Sequence, residues 1–442
     1  MSLPAAYQQV AAALNAPSRD ARLAAARALA AGVASGAIPP APPPVEVNNH
    51  VHTCYSFSPH SPTSAAWAAQ RAGLQAVGIM DHDSVAGVEE MLEAGRILGI
   101  ATTAGCELRV TFADTPFATR LINGPGLTGI AYMAIHGIPA GAVARCRVFL
   151  APVQAARNAR NAAMVERLNA LLRAQGVPEV DFRRDVYDRS MAAEGGAITE
   201  RHIIAAHSRK LIAAHGAGAG LVRFLEDGLR LAIPGRVRGY LLDPENPHYL
   251  YDLLGLLKAH YADEFFIHPT MAECPDVRAV LAFAEEIGGI SAYAYLGDVT
   301  ESPTGDKKAE QFEDAFLEEL MAWLRRLGFR AVTYMPPRNT RPQLERIARL
   351  CEAHGFMQIS GVDINSSRQS FSCPEILDPR FTNLITATWA LIGHEKLSTA
   401  RPGAGLFGAR ALAEYPARAD RLAYFAALGR RLDPRDPTAV PV

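Results

Sequence analysis

Two histidines separated by one residue open the chemistry of this chain. In Glu46-Val47-Asn48-Asn49-His50-Val51-His52 the strand-like alternation sends both imidazoles to one face. Neutral ring nitrogens so placed can share one divalent cation at about 2.0–2.1 Å. The apolar run Ala76-Val77-Gly78-Ile79-Met80 ends in Asp81-His82-Asp83, and the run from Ile100 ends in Gly105-Cys106-Glu107. A carboxylate such as Glu107 can bridge two cations. Mixed nitrogen and oxygen ligation suits Zn, Mn or Fe without choosing among them. Later apolar runs end in Asp298, in Arg338, and in Asp363 with Asn365. Reactive groups at the C-terminal ends of successive strands are what the mouth of an α/β barrel presents.

The elements that must position these residues follow from periodicity. Strands are expected at 46–52, 76–80, 100–107, 290–295, 331–335 and 357–362. Helices are expected at 64–73 and 85–98, capped by Ser64 and Ser84, and at 276–287, 309–327 and 341–354. This alternation predicts a parallel sheet or barrel. Residues 1–44 read as an Ala-rich helical extension ending in the stiff connector Ile38–Pro44. The extension is expected to pack on the body or on another subunit, which leaves a homo-oligomer open. Residues 45–110 form the first part of the barrel. Residues 111–262 form a mainly helical insertion or cap, with helices at 152–174, 200–214, 219–230 and 247–260. Residues 263–400 complete the barrel, and 401–442 form a tail with one helix.

Composition narrows the function classes. The chain has 442 residues, 49% of them hydrophobic, with 44 Lys+Arg against 45 Asp+Glu. The near-neutral balance argues against a dedicated nucleic-acid binder. No run approaches the roughly 18 apolar residues of a membrane span. The six cysteines include no CxxC pair, which argues against a thiolate zinc cage and fits a reducing cytoplasm. Gly124-Pro125-Gly126-Leu127-Thr128-Gly129 matches a nucleotide-binding fingerprint by letters alone, and Gly305-Asp306-Lys307-Lys308 lacks the upstream glycine of a P-loop. The latter reads as a polar loop near the barrel mouth.

The run from Asn49 to Ser56, with Gly78-Ile79-Met80-Asp81-His82-Asp83 and Gly105-Cys106-Glu107, resembles the PHP (polymerase and histidinol phosphatase) family of metal-dependent phosphoesterases. The resemblance covers about residues 45–110 and is patchier beyond. It implies a distorted (β/α)7 barrel with divalent metal ions at its C-terminal mouth. It further implies that His50, His52, Glu107 and Asp363 hold a first metal and that His136 serves a second. Thr199-Glu200-Arg201-His202-Ile203 is similar to the family segment whose Arg and His meet the substrate phosphate. Three positions depart from the pattern: Phe57 stands where three-metal members carry an acid, Asn365 where they end in histidine, and Tyr295 where they carry the Ala-His-Pro histidine. One or two metals are therefore expected.

On this reading the protein is a hydrolase that attacks a small phosphorylated molecule with metal-activated water. His82 or His202 protonates the leaving group, Asp81 orients His82, and Arg201 and Arg338 clamp the phosphate. The alternatives are a metal hydrolase of another bond, such as an amide, or a non-enzymatic metal-binding barrel with a degraded site.

Overall fold

The computed structural model describes residues 3–299 and 311–440, so the 305–308 loop lies outside the described residues. Seven strands form one sheet in chain order: β1 (Glu46–Val51), β2 (Leu74–His82), β3 (Ala101–Thr111), β4 (Ile130–His136), β5 (Ile290–Ala294), β6 (Ala331–Tyr334) and β7 (Met357–Ser360). All neighbours run parallel except β4, which is antiparallel to both β3 and β5. The sheet curls until Ile364, just after β7, meets β1. The His52 amide donates to the Ile364 carbonyl at 3.0 Å, and the Ile364 amide donates to the His50 carbonyl at 3.2 Å. The Asn48 side chain adds bonds to the Val362 carbonyl and amide at 3.0 and 2.9 Å. The architecture is a nearly closed, distorted (β/α)7 barrel.

Strand β4 lies inside the 111–262 stretch that the sequence assigns to a helical insertion. Its run Ile130–His136 is apolar enough to read as either element, and Gly and Pro turns surround it. The barrel therefore extends to His136, and the helical segment starts with α5 (Val143–Ala174), nine residues before the expected start at 152. The intervening Pro152 is accommodated within that helix.

Register decides which side chains enter the barrel. Met80, Gly105 and His136 pair across β2, β3 and β4. His82, Glu107 and Ala134 form the next tier, and Arg109 pairs with Tyr132 above them. Met80 and Ala134 of these tiers, with Ala292, Ala331 and Met357, share one apolar cluster with Ala387, Ala390 and Leu391 of the helix Thr382–Ala400. That helix escaped sequence reading, because it is apolar around most of its circumference.

The N-terminal helices α1 (Ala5–Ala12) and α2 (Arg19–Ala34) pack on the barrel's own helices α3 (Pro62–Arg71) and α4 (Val88–Leu98). The buried Arg22 forks onto Glu90 at 2.8 and 2.5 Å. Ser61 rather than Ser64 caps α3, accepting the Ser64 amide at 3.0 Å. Ser84 does not cap α4, which begins at Val88; its hydroxyl reaches the Gly195 carbonyl at 2.7 Å. The helical segment, including α6 (Glu200–His215) and the helix Tyr249–Phe265, has its own apolar core. Among the described residues no helix is long and apolar enough to cross a membrane.

Candidate metal centre and cleft

His50 and His52 project from the end of β1 and Glu107 from β3, and the three are buried with ligand atoms within 4.8 Å of one another. Glu107 Oε2 lies 3.7 Å from His50 Nε2, 3.9 Å from His52 Nε2 and 3.1 Å from His82 Nδ1. Asp363 Oδ1 lies 3.2 Å from His52 Nε2. The close approach of β7's end to β1 requires Gly361. A Cβ there would fall 2.4 Å from His50 Cβ and 2.8 Å from its backbone nitrogen, so the neighbour could not yield. Gly361→Ala is expected to displace His50, lowering metal affinity about 10–100-fold and stability by about 1–3 kcal/mol. Zinc titration with urea unfolding checks this; wild-type affinity in a normally folded variant would refute it.

The electrostatics favour a cation. Burial works against the Glu107 carboxylate, yet His50 and His82 hold its pKa well below the usual range. Burial likewise depresses His52, but Asp363 and Glu107 beside it raise its proton affinity above the ordinary value. His82 is lowered by burial and by the neighbouring His52. His136 is buried one tier below Glu107 and is pushed down to about 3 by burial, then by His50. His52 Nε2, His82 Nδ1 and His136 Nε2 are all buried without a well-directed hydrogen bond among the described residues. Orphaned imidazole nitrogens around a carboxylate are a donor set that a divalent ion satisfies. The residues present thus fit a metal, with His82 as close to Glu107 as the expected ligands.

Asp81 has different work from that expected of it. Its oxygens accept from the Thr53 amide and hydroxyl at 2.6 Å each and from the Ser56 hydroxyl at 2.5 Å. Ser56 Oγ in turn lies 3.2 Å from His52 Nδ1. Asp81 therefore braces the turn after β1 and orients His52 through Ser56, rather than His82. Ser56 itself was not singled out, although it stands four residues after His52.

Above the centre opens a cleft of about 50 Å³. The barrel contributes His52, Ser56, Phe57, His82, Arg109, Tyr132 and Asn365; the helical segment contributes Arg157, Thr199, Glu200 and Arg201. Arg201 thus reaches the cleft as expected of a clamp. His202 does not line it: its Nδ1 accepts the Thr199 amide at 3.0 Å, closing the capping box of α6. Burial, then Arg157, push its pKa down to about 3, which leaves a neutral ring poorly suited to protonate a leaving group. Arg338 bonds the Leu296 carbonyl at 3.3 Å beyond β5, and the cleft wall is formed by other arginines. Tyr295 Oη donates to Asp314 at 2.6 Å, and Asp298 Oδ1 accepts the Phe312 amide at 2.6 Å, so both serve the loops after β5.

Two of the wall arginines were missed. Arg109 follows Glu107 by two residues on β3, so the alternation that aligns His50 with His52 could have found it. Its Nε donates to Tyr132 Oη at 2.9 Å and its Nη1 to Glu273 at 2.9 Å, a carboxylate that Arg160 also grips at 2.5 and 2.7 Å. Arg157 pairs with Asp83 while its Nε has no partner among the described residues. Nothing local to α5 signals Arg157, because its place depends on how the helical segment seats on the barrel. Glu200 is kept ionised against burial by Lys258 at 2.8 Å.

Comparison with known proteins adds a family match. Residues 48–233 match the model of the PHP domain. A search of curated proteins found no match. Among solved structures, a proposed metal-dependent phosphoesterase from Bifidobacterium adolescentis aligns at 19% identity over 76% of this chain and 96% of its own, with a TM-score of 0.47. An amidohydrolase from Chromobacterium violaceum with bound sulfate aligns at 16% identity over 78% and 97%, with a TM-score of 0.49. The match to the PHP-domain model at residues 48–233 spans both the His50–Val51–His52 strand and the Arg201 segment, beyond the 45–110 that carries the motifs.

Proposed function

We propose that the protein is a metal-dependent hydrolase, and specifically a phosphoesterase acting on a small phosphorylated molecule. The supporting observation is the juxtaposition of a buried His50–His52–Glu107 cluster with a cleft walled by Arg109, Arg157 and Arg201. His50, His52 and Glu107 would hold one divalent ion, with Asp363 and His82 at its border and His136 beneath. Such an ion supplies Lewis-acid polarisation and an acidified water. Asp81, through Ser56, holds the His52 ring. The three guanidinium groups match the oxygens of a phosphoryl group in charge and geometry. Asp83 and Glu273 already answer Arg157 and Arg109, whereas Arg201 is held by the neutral Asn365. A neutral amide would leave the Arg201 charge without an answering group, so hydrolysis of an amide is the weaker reading. His82, which lies at the floor of the cleft, is the remaining histidine placed to pass a proton.

The experiment is metal analysis of the purified protein followed by assays with added Mn or Zn. Phosphomonoesters are expected to turn over, and amides of matching size are not. Amide turnover without phosphoester turnover would replace this reading; no turnover by a metal-loaded protein would favour a binding role.

A further inference from the structure

We propose that the Asn365 amide and the Phe57 ring are positioning groups that hold the Arg201 guanidinium over the cleft as a fixed cation. The inference rests on the phosphoester reading and gives work to two side chains that ligate nothing in it.

Arg201 sits in the first turn of α6, so side-chain contacts decide where its long end points. Two contacts do so. Its Nη1 donates to Asn365 Oδ1 at 2.6 Å, and its guanidinium carbon lies 5.1 Å from the centre of the Phe57 ring. The first sets its reach and the second supports its plane. Of five N–H donors, the Asn365 bond uses one. A guanidinium already held in place loses little rotamer freedom when an anion arrives, so more of its charge interaction appears as affinity.

Asn365 reaches the other way as well. Its Nδ2 donates to Asp363 Oδ1 at 2.7 Å, the same oxygen that lies 3.2 Å from His52 Nε2. One planar amide thus accepts from the cation and donates to the anion. Aspartate could not do both, because it would set a second carboxylate against Asp363. The turn is itself tied. Gln369 Oε1 accepts the Asn365 and Ser366 amides at 2.7 Å each, and its Nε2 donates to the Asp363 carbonyl at 2.7 Å.

Phe57 carries a different signature. Its φ of 87° is left-handed, a region that bulky residues adopt only where the surroundings enforce it. Its ring belongs to the core of the helical segment, edge-on to His202 at 4.8 Å and tilted to Tyr251 at 5.7 Å. Packing from the helical segment therefore enforces the strained turn, and the turn delivers the ring to Arg201. A residue from the β1 loop, one from after β7 and one from α6 converge on a single charge.

The test uses the full chain with Asn365→Ala, Phe57→Leu, Phe57→Tyr, Arg201→Ala and the Arg201→Ala/Asn365→Ala double variant. In ligand-free protein, phenylglyoxal labelling of Arg201 is followed by peptide mass spectrometry. Labelling is expected to speed up several-fold in Asn365→Ala and Phe57→Leu and to stay at the wild-type rate in Phe57→Tyr. Unchanged rates in the first two would overturn the proposal. In metal-loaded protein, calorimetry with inorganic phosphate should show Asn365→Ala weakened about tenfold at unchanged metal content, and the double variant no weaker than Arg201→Ala alone. Additive losses, or loss of metal in Asn365→Ala, would overturn it too. Phosphate that fails to bind the wild type would sink the phosphoester reading instead, and the labelling rates alone would then decide the role of Asn365 and Phe57.

Discussion

Replacing His50 and His52 together by alanine is expected to strip the divalent ion and reduce turnover by on the order of 10³-fold or more. On the proposed reading a bound ion would supply several kcal/mol of charge stabilisation, and each 1.4 kcal/mol is tenfold in rate. Both imidazoles stand beside Glu107, at 3.7 and 3.9 Å, so their removal leaves that carboxylate with His82 as its near partner at 3.1 Å. Inductively coupled plasma analysis of metal, alongside the phosphoester assay, reads both effects. A folded double variant that keeps its full metal complement would remove the centre from these residues.

The second large effect concerns stability and involves residues that do not line the cleft. Arg22→Ala is expected to cost about 3–5 kcal/mol, the penalty for leaving one member of a buried ion pair alone. Arg22 and Glu90 are 2% and 1% exposed, so water cannot replace the lost partner. Arg22 also donates to the Ala16 and Pro17 carbonyls at 2.9 and 2.8 Å, which fixes the turn into α2 while the Glu90 pair ties α2 to α4. Converting both members to apolar residues, Arg22→Met with Glu90→Leu, should recover part of the loss, because no charge then stays buried. Recovery would be incomplete, since Glu90 also accepts the Thr63 hydroxyl at 2.7 Å. Urea unfolding measures all three proteins; a loss below about 1 kcal/mol in Arg22→Ala would mean that the pair is screened or dispensable.

Much of the barrel was readable because strands and helices are local. Six of the seven strands lie where alternation and apolar runs put them, and the helix 341–354 has its expected bounds. The seventh strand, β4, was not readable: a short apolar run carries no period that separates strand from helix. Within the site, His50, His52 and Glu107 stood out because residue type and spacing coincide at strand ends. Arg109 obeyed the same rule and was passed over. Asp81, His202 and Arg338 were assigned by motif or by place, and their partners differ from those assigned. Thr53 and Ser56 occupy Asp81, the Thr199 amide occupies His202, and the Leu296 carbonyl engages Arg338.

The sequence by itself determined the alternating barrel, the separate helical segment and the histidine–carboxylate set at the strand ends, since these depend on neighbours within a few residues. Tertiary structure alone decided that β4 runs against its neighbours, that Arg157 of α5 enters the cleft, and that Asn365 and Phe57 meet at Arg201. Those facts join residues that lie from tens of positions apart, as in β3 and β4, to the 164 between Arg201 and Asn365. Such pairings are chosen by packing of whole elements, which no local period encodes.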